Sequence, residues 1–341
     1  MRFGTKLLMT SRMTSWMTSL LTAALCSTAA AAVPLVLVRE TKISDLNVAA
    51  LPHDQYEASG VVSQGGFLYV IFDNSYRILK VRPDTGWTSP SLTSVSNDGD
   101  SQYEAITFDS HNTQNFYAMV ESAPSSGLNL GKIDKYTSTL SGPTGEWTNI
   151  TFPYANKGFE GAAWLWSCPG GGAGNDFILG LCEGNNCTNS TQAGNGKIKI
   201  LQQNISGSTI SWNLIQNGTV SIPATADFVD YSDIALYPPY PTTNDCAGLG
   251  GNGTGLYTVA IVSQQSSKLW IGTFNAKTWS FQGNGTVYEF PKGSQSQIIY
   301  CNIEGVTFLS ATRIAVVSDA ADTAGCMAKD QSIHIFDIPQ P

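Results

Sequence analysis

The chain has 341 residues with 18 basic and 26 acidic side chains, a formal net charge of −8, and charged residues making up only 13% of the total. A field of that sign repels nucleic acid and anionic membranes, which leaves neutral or cationic small molecules, glycans and metal ions as expected partners. Abundant Gly, Ser, Thr and Asn suit short strands joined by many turns rather than long helices.

Residues 1–32 begin with Arg2, Lys6 and Arg12, continue through an apolar stretch at 16–25, and end in the small-residue run 27–32. That order is a secretory signal peptide, and the apolar stretch is shorter than the roughly 20 residues of a membrane span. Residues 33–341 are therefore expected to form one secreted, monomeric domain. A strand is expected first, at 36–43.

An acidic motif then opens a unit that recurs along the chain: Tyr56-Glu57-Ala58, Tyr103-Glu104-Ala105, Phe159-Glu160-Gly161, Ser232-Asp233-Ile234 and Ile303-Glu304-Gly305. Each copy is followed by an apolar run (67–73, 116–121, 177–183, 256–263, 313–319), and four of these five runs end on an acid. A third run, usually opened by Lys or Arg, follows at 77–81, 132–136, 197–201, 268–274 and 332–338. Weaker fourth runs lie at 91–96, 147–153, 212–223 and 286–291. Runs of this length, rich in Val, Ile, Phe and Tyr and bounded by Gly, Asn, Ser and Pro, are strands.

Four strands per unit make the blade of a propeller. The fifth unit lacks a fourth strand, and residues 36–43 can supply it, closing the ring and removing its edges. The fold expected is an all-β propeller of five blades closed by the N-terminal strand. Unequal spacing between motifs leaves a six-bladed alternative, with the extra blade inside 184–232, and an ordinary β-sandwich stands behind both.

In a propeller the acidic motifs ring one mouth of the central channel, with Asp73, Glu121, Glu183 and Asp319 on the same face and Ser263-Gln264 replacing the acid in the fourth unit. Crowded carboxylates need cations, backbone donors or protons. Glu57, Glu104, Asp233 and Glu304 are candidate Ca²⁺ ligands, since oxygen-rich clusters suit that ion. Glu57, Glu104, Glu160 and Glu304 are candidate catalytic acids or bases. Asp73, Glu121, His53, four residues before Glu57, and Trp166 are candidate ligand contacts, although Trp164 and Trp166 also fit packing on one strand face. The competing structural reading is that each motif acid accepts backbone N–H groups from the neighbouring blade.

Cys26 leaves with the signal, so Cys182–Cys187, Cys301–Cys326 and Cys168–Cys246 are the disulfides expected among the 15 possible connectivities of six cysteines. Seven Asn-x-Ser/Thr sequons, at Asn149, Asn186, Asn189, Asn204, Asn217, Asn252 and Asn284, mark glycan acceptors in loops or strand edges.

The unit of Glu-Ala/Gly, an apolar strand ending in Asp or Glu, then Lys/Arg-Ile-x-x-Val resembles the blades of the SdiA-regulated and esterase-like-phytase propellers. That resemblance implies six blades and calcium-dependent or phosphate-ester-directed chemistry. This chain departs from it with five motifs and no Lys/Arg cluster for phosphate. Two functions fit the residues: a calcium-dependent hydrolase or lyase acting on a carbohydrate or small ester at an acidic channel mouth, and a non-catalytic extracellular module binding a glycan or protein.

Overall fold

Short strands rich in β-branched and aromatic residues, punctuated by turn formers, build the whole chain. The computed structural model describes residues 32–49, 51, 56–93, 99–111, 113–155, 157–167, 174–184, 187–188, 193–238, 255–321 and 324–340. Among them there is no α-helix, and no helix is long and apolar enough to cross a membrane.

Strands β1 (Val33–Pro34) and β2 (Val36–Lys42) come first. One meander follows with β3 (Ala58–Gln64), β4 (Phe67–Phe72), β5 (Ser75–Val81) and β6 (Ser91–Leu92). The next holds β7 (Tyr103–Phe108), β8 (Phe116–Ser125), β9 (Leu128–Tyr136) and β10 (Thr144–Phe152). Then come β11 (Phe159–Ser167), β12 (Asn175–Cys182), β13 (Lys197–Ser206) and β14 (Thr209–Ser221). A further meander contains β15 (Asp233–Tyr237), β16 (Leu256–Ser263), β17 (Lys268–Asn275) and β18 (Ser280–Glu289). The last strands are β19 (Ile303–Ser310), β20 (Arg313–Ser318) and β21 (Ser332–Asp337).

The first strand of each meander packs against the next in the cycle β3, β7, β11, β15, β19 and back to β3. Strand β2 pairs antiparallel with β21, from Val36 opposite Asp337 to Lys42 opposite Ser332, so the N-terminal strand completes the last sheet. Residues 184–232, where a sixth blade could have been hidden, hold β13 and β14, the outer strands of the third meander.

Two pairings were not foreseen. Strand β1 adds in parallel to the outer edge of β18. Strands β10 and β14 pair in parallel at Trp147–Ser211 and Thr148–Trp212, which fuses the second and third meanders into one eight-stranded sheet. The fully buried Trp212 holds that seam: its indole N–H donates to Glu146 at 2.7 Å, and Lys135 neutralises the same carboxylate at 2.5 Å.

The second strands read as unbroken apolar runs because both of their faces are covered. In β12, Phe177, Leu179 and Leu181 face the cluster shared with the fourth meander, while Ile178 faces the one shared with the second. Each such fully buried side chain contributes about 1.5–3 kcal/mol relative to exposure.

The small residue after the motif acid has a packing cause. A Cβ on Gly305 would lie 2.9 Å from the Gly60 Cα, and one on Gly161 would lie 2.8 Å from the Asp233 Cα. Neighbouring first strands thus approach backbone to backbone, and a side chain on Gly161 or Gly305 does not fit.

Cys182–Cys187 and Cys301–Cys326 form disulfides, with Cα separations of 4.7 and 5.6 Å. Cys168 and Cys246 lie outside the described residues, as do Asn186, Asn189 and Asn252. Asn149, Asn204, Asn217 and Asn284 are exposed, but they lie within β10, β13, β14 and β18 rather than in loops.

Candidate functional site

The pairing register decides where each motif acid points. Tyr103 pairs with Val120 and Ala105 with Met119, which leaves Glu104 as the extra residue of a β-bulge. The same slip isolates Glu160, between Phe159–Cys182 and Gly161–Leu181, and Glu304, between Ile303–Ser318 and Gly305–Val317. A bulge re-aims the side chain it isolates. All three glutamates turn into one cavity at the end of the first strands.

In the first meander the slip falls between Ala58–Phe72 and Gly60–Ile71, so the counterpart of these glutamates is Ser59 and not Glu57. Strand β15 pairs without a slip, and close approaches fix its register instead. A Cβ on Gly161 meets the Cα of Asp233 and the N of Ile234, as one on Gly60 meets the Cα of Ala105 and the N of Ile106. Asp233 therefore matches Ala105, and Ser232 takes the glutamate position.

A cavity of about 90 Å³ results, lined by Ser59 and Ser232 together with eight acids: Glu57, Asp73, Glu104, Glu160, Glu183, Asp230, Glu304 and Asp319. Glu57 and Asp230 each stand two residues before the serine of their meander, restoring a carboxylate where the bulge position lacks one. Asp230 was missed from the sequence, because Asp233 resembled the motif more closely. Its carboxylate accepts from the Ser263 hydroxyl and from Gln265 N at 3.0 Å, so the residues on either side of Gln264, which stands where the other meanders carry an acid, anchor an acid brought from elsewhere. Backbone bonds clamp the second ring to the first: Asp73 N donates to Glu57 O at 3.0 Å, and Asp319 N to Asn302 O at 2.9 Å.

Asp233 corrects the expectation of a five-acid ring. Its carboxylate accepts from Val306 N at 2.8 Å, Ile234 N at 2.8 Å and Ala162 N at 3.4 Å, straps β15 to its neighbours, and is absent from the cavity lining. The structural role weighed for every motif acid thus belongs to this one. Among the described residues no hydrogen-bond donor reaches Glu104, Glu160 or Glu304.

Burial, and then repulsion from neighbouring carboxylates, holds Glu104, Glu160 and Glu304 well above the usual carboxylate range. Asp73 is pushed up to about 8 by burial, by a hydrogen bond with Glu57 and by Glu57's charge. Glu121 is pushed to about 7, chiefly by burial; it stands beside the cavity, within the field of Lys157 and Glu183, rather than in its wall. Lys157 is ion-paired with Glu183.

Trp166 does not reach this mouth: it is 6% exposed in the core and stacks on His111, with ring centroids 4.2 Å apart. His53 lies outside the described residues. No group of three or more His, Cys, Asp or Glu among the described residues is arranged to hold a metal ion. Of the expected ligand set, Glu57, Glu104 and Glu304 line the cavity, whereas Asp233 accepts backbone donors outside its wall.

No family model matches the chain, and none of the curated proteins does. Solved structures similar to it include the PQQ-bound aldose sugar dehydrogenase of Streptomyces coelicolor, at 13% identity over 88% of this chain and 98% of that one, with a TM-score of 0.42. Another is the GH43_1 enzyme of Xanthomonas citri complexed with xylotriose, at 11% identity over 84% and 88% of the two chains and a TM-score of 0.41. A third is the exo-β-1,3-galactanase of Phanerochaete chrysosporium, at 8% identity over 89% and 63%, with a TM-score of 0.46. At these values no substrate or activity passes from those proteins to this chain.

Proposed function

We propose that the chain is a secreted, N-glycosylated five-bladed propeller whose acidic mouth performs acid–base chemistry, as a hydrolase or lyase acting on a neutral or cationic carbohydrate or small ester. The observation that carries this reading is the division of the cavity acids. Glu104, Glu160 and Glu304 meet no hydrogen-bond donor among the described residues and are raised well above the usual carboxylate range, first by burial, while Glu183, in the wall of the same cavity, is ion-paired with Lys157. Environments that push neighbouring carboxyls apart separate an acid from a base.

Glu160, within the field of Glu183, is the proton donor: its proton passes to the leaving-group oxygen as the C–O bond breaks. Glu183 takes the proton of the attacking water or, in a lyase, of the substrate carbon. The cavity admits the reacting group, and the rest of the substrate lies across the mouth. Glu104 and Glu304 keep the site short of negative charge by remaining protonated.

The test is initial rates on a panel of aryl glycosides, polysaccharides and aryl esters. An activity that falls at least 100-fold in both Glu160→Gln and Glu183→Gln, with both variants folded at the assay temperature, is expected. Binding of a panel glycan without turnover by the unaltered protein would replace this reading with the glycan-binding module. The proton chemistry as written needs no metal ion, so EDTA is expected to leave the melting temperature unchanged. A fall that calcium reverses would restore the metal-centred reading, because a site-bound ion stabilises the folded state.

A further inference from the structure

The opposite face of the ring holds a second cavity, of about 450 Å³, at the far ends of β3, β15 and β19. By strand rise it lies roughly 20 Å from the acidic mouth. Its volume falls within the roughly 300–1,000 Å³ of small-molecule sites.

The chemistry there is the reverse of the acidic mouth. Beyond residue 32 the chain has four arginines, Arg39, Arg77, Arg82 and Arg313. Arg39 and Arg313 line this cavity. Arg82 borders it, with its guanidinium 3.6 Å from where a Cβ on the lining residue Gly66 would stand. These residues are far apart in sequence and meet only because β2 closes the last sheet beside the first meander.

Arg313 is neutralised by a two-pronged pair with Asp337, at 2.6 and 3.1 Å. Arg39 is not: among the described residues its one hydrogen bond is to the Pro83 carbonyl at 3.4 Å, and no acid lines the cavity. A half-buried guanidinium without a carboxylate partner is unexpected in a chain of net charge −8. Beside it Tyr237 and Phe308 stand with ring centroids 5.6 Å apart, forming an aromatic wall.

We propose that this cavity binds an organic anion: an oxyanion head, carboxylate, sulfonate or phosphate ester, held by the Arg39 fork, on a flat apolar body laid against Tyr237 and Phe308. A guanidinium presents paired donors matched to such a head, and charge-assisted bonds of this kind are about twice as strong as neutral ones. The site stands independently of the chemistry proposed for the acidic mouth.

The probe is 8-anilinonaphthalene-1-sulfonate, an aromatic sulfonate whose fluorescence rises on binding, titrated against N-phenyl-1-naphthylamine, its uncharged analogue. Arg39→Gln is expected to weaken the sulfonate at least tenfold and leave the amine unchanged, while Tyr237→Leu weakens both. Glu160→Gln, at the other mouth, should change neither. A matched melting temperature checks that Arg39→Gln folds, and Arg39→Lys, which keeps the charge, should recover part of the affinity. Equal sulfonate affinity in Arg39→Gln and the unaltered protein, or no saturable response at all, would overturn the proposal.

Discussion

Asp233 and Glu160 carry the same functional group on adjacent first strands, yet one is tied into the backbone and the other faces a cavity and meets no donor among the described residues. The difference is one residue of register: a bulge turns Glu160 inward, and an unbroken ladder leaves Asp233 pointing at its neighbours' N–H groups. Removing a buried acceptor leaves its donors unsatisfied, so Asp233→Ala is expected to cost about 2–4 kcal/mol in urea unfolding. Glu160→Gln, which relieves burial of an acid among like charges, is expected to be neutral or stabilising in the same experiment. The sequence placed both acids in one class, because motif similarity is blind to a slip in pairing. Glu104, Glu160 and Glu304 were legible as one set; Glu57 was read into that set although it reaches the cavity from two residues before Ser59, and Asp230, two before Ser232, carries no repeat signature.

Strands were the most legible elements, since composition and turn residues specify them locally. Val36–Lys42 as the partner of the C-terminal strand followed from counting a missing fourth strand, and β2 does pair with β21. The parallel seam of β10 and β14 had no local signature: it depends on the length of the two strands and on Trp212 meeting Glu146 across 66 residues. The closing strand is fastened by Glu40, which pairs with Lys329 and meets the Nδ1 of the fully buried His334 at 3.1 Å. Glu40→Ala is expected to lower stability by about 2 kcal/mol with little change in the denaturant slope, because it leaves the buried His334 without that partner and the partly exposed Lys329 without its ion pair. Gly305→Ala tests the close approach of first strands. With Gly60 Cα 2.9 Å from the new Cβ, a cost of about 1–3 kcal/mol is expected.

At the scale of the whole molecule, two groups of carboxyls set opposite responses to pH. Asp73, raised from 3.8 to about 8, and Glu121, raised from 4.5 to about 7, bind more protons folded than unfolded, so the stability they give is complete below about 4 and is lost as pH rises toward 8. Glu40 is lowered from 4.5 to about 2, above all by its hydrogen bond to His334, so its contribution is present above about 4.5 and lost as pH falls through 2. The melting temperature is therefore expected to peak in mildly acidic buffer and to decline toward pH 8, with Asp73→Asn flattening the alkaline side only. A melting temperature that rises from pH 5 to pH 8 would contradict these signs. Glu104, Glu160 and Glu304 play their proposed parts only if they hold their protons near neutrality. Infrared spectroscopy of the deuterium-exchanged protein at pH 7 reads this directly through the carbonyl stretch of protonated carboxyls. A protonated-carboxyl band at pH 7 that shrinks in Glu104→Gln and Glu160→Gln is expected; a spectrum with ionised carboxylates alone would contradict a proton-loaded cavity.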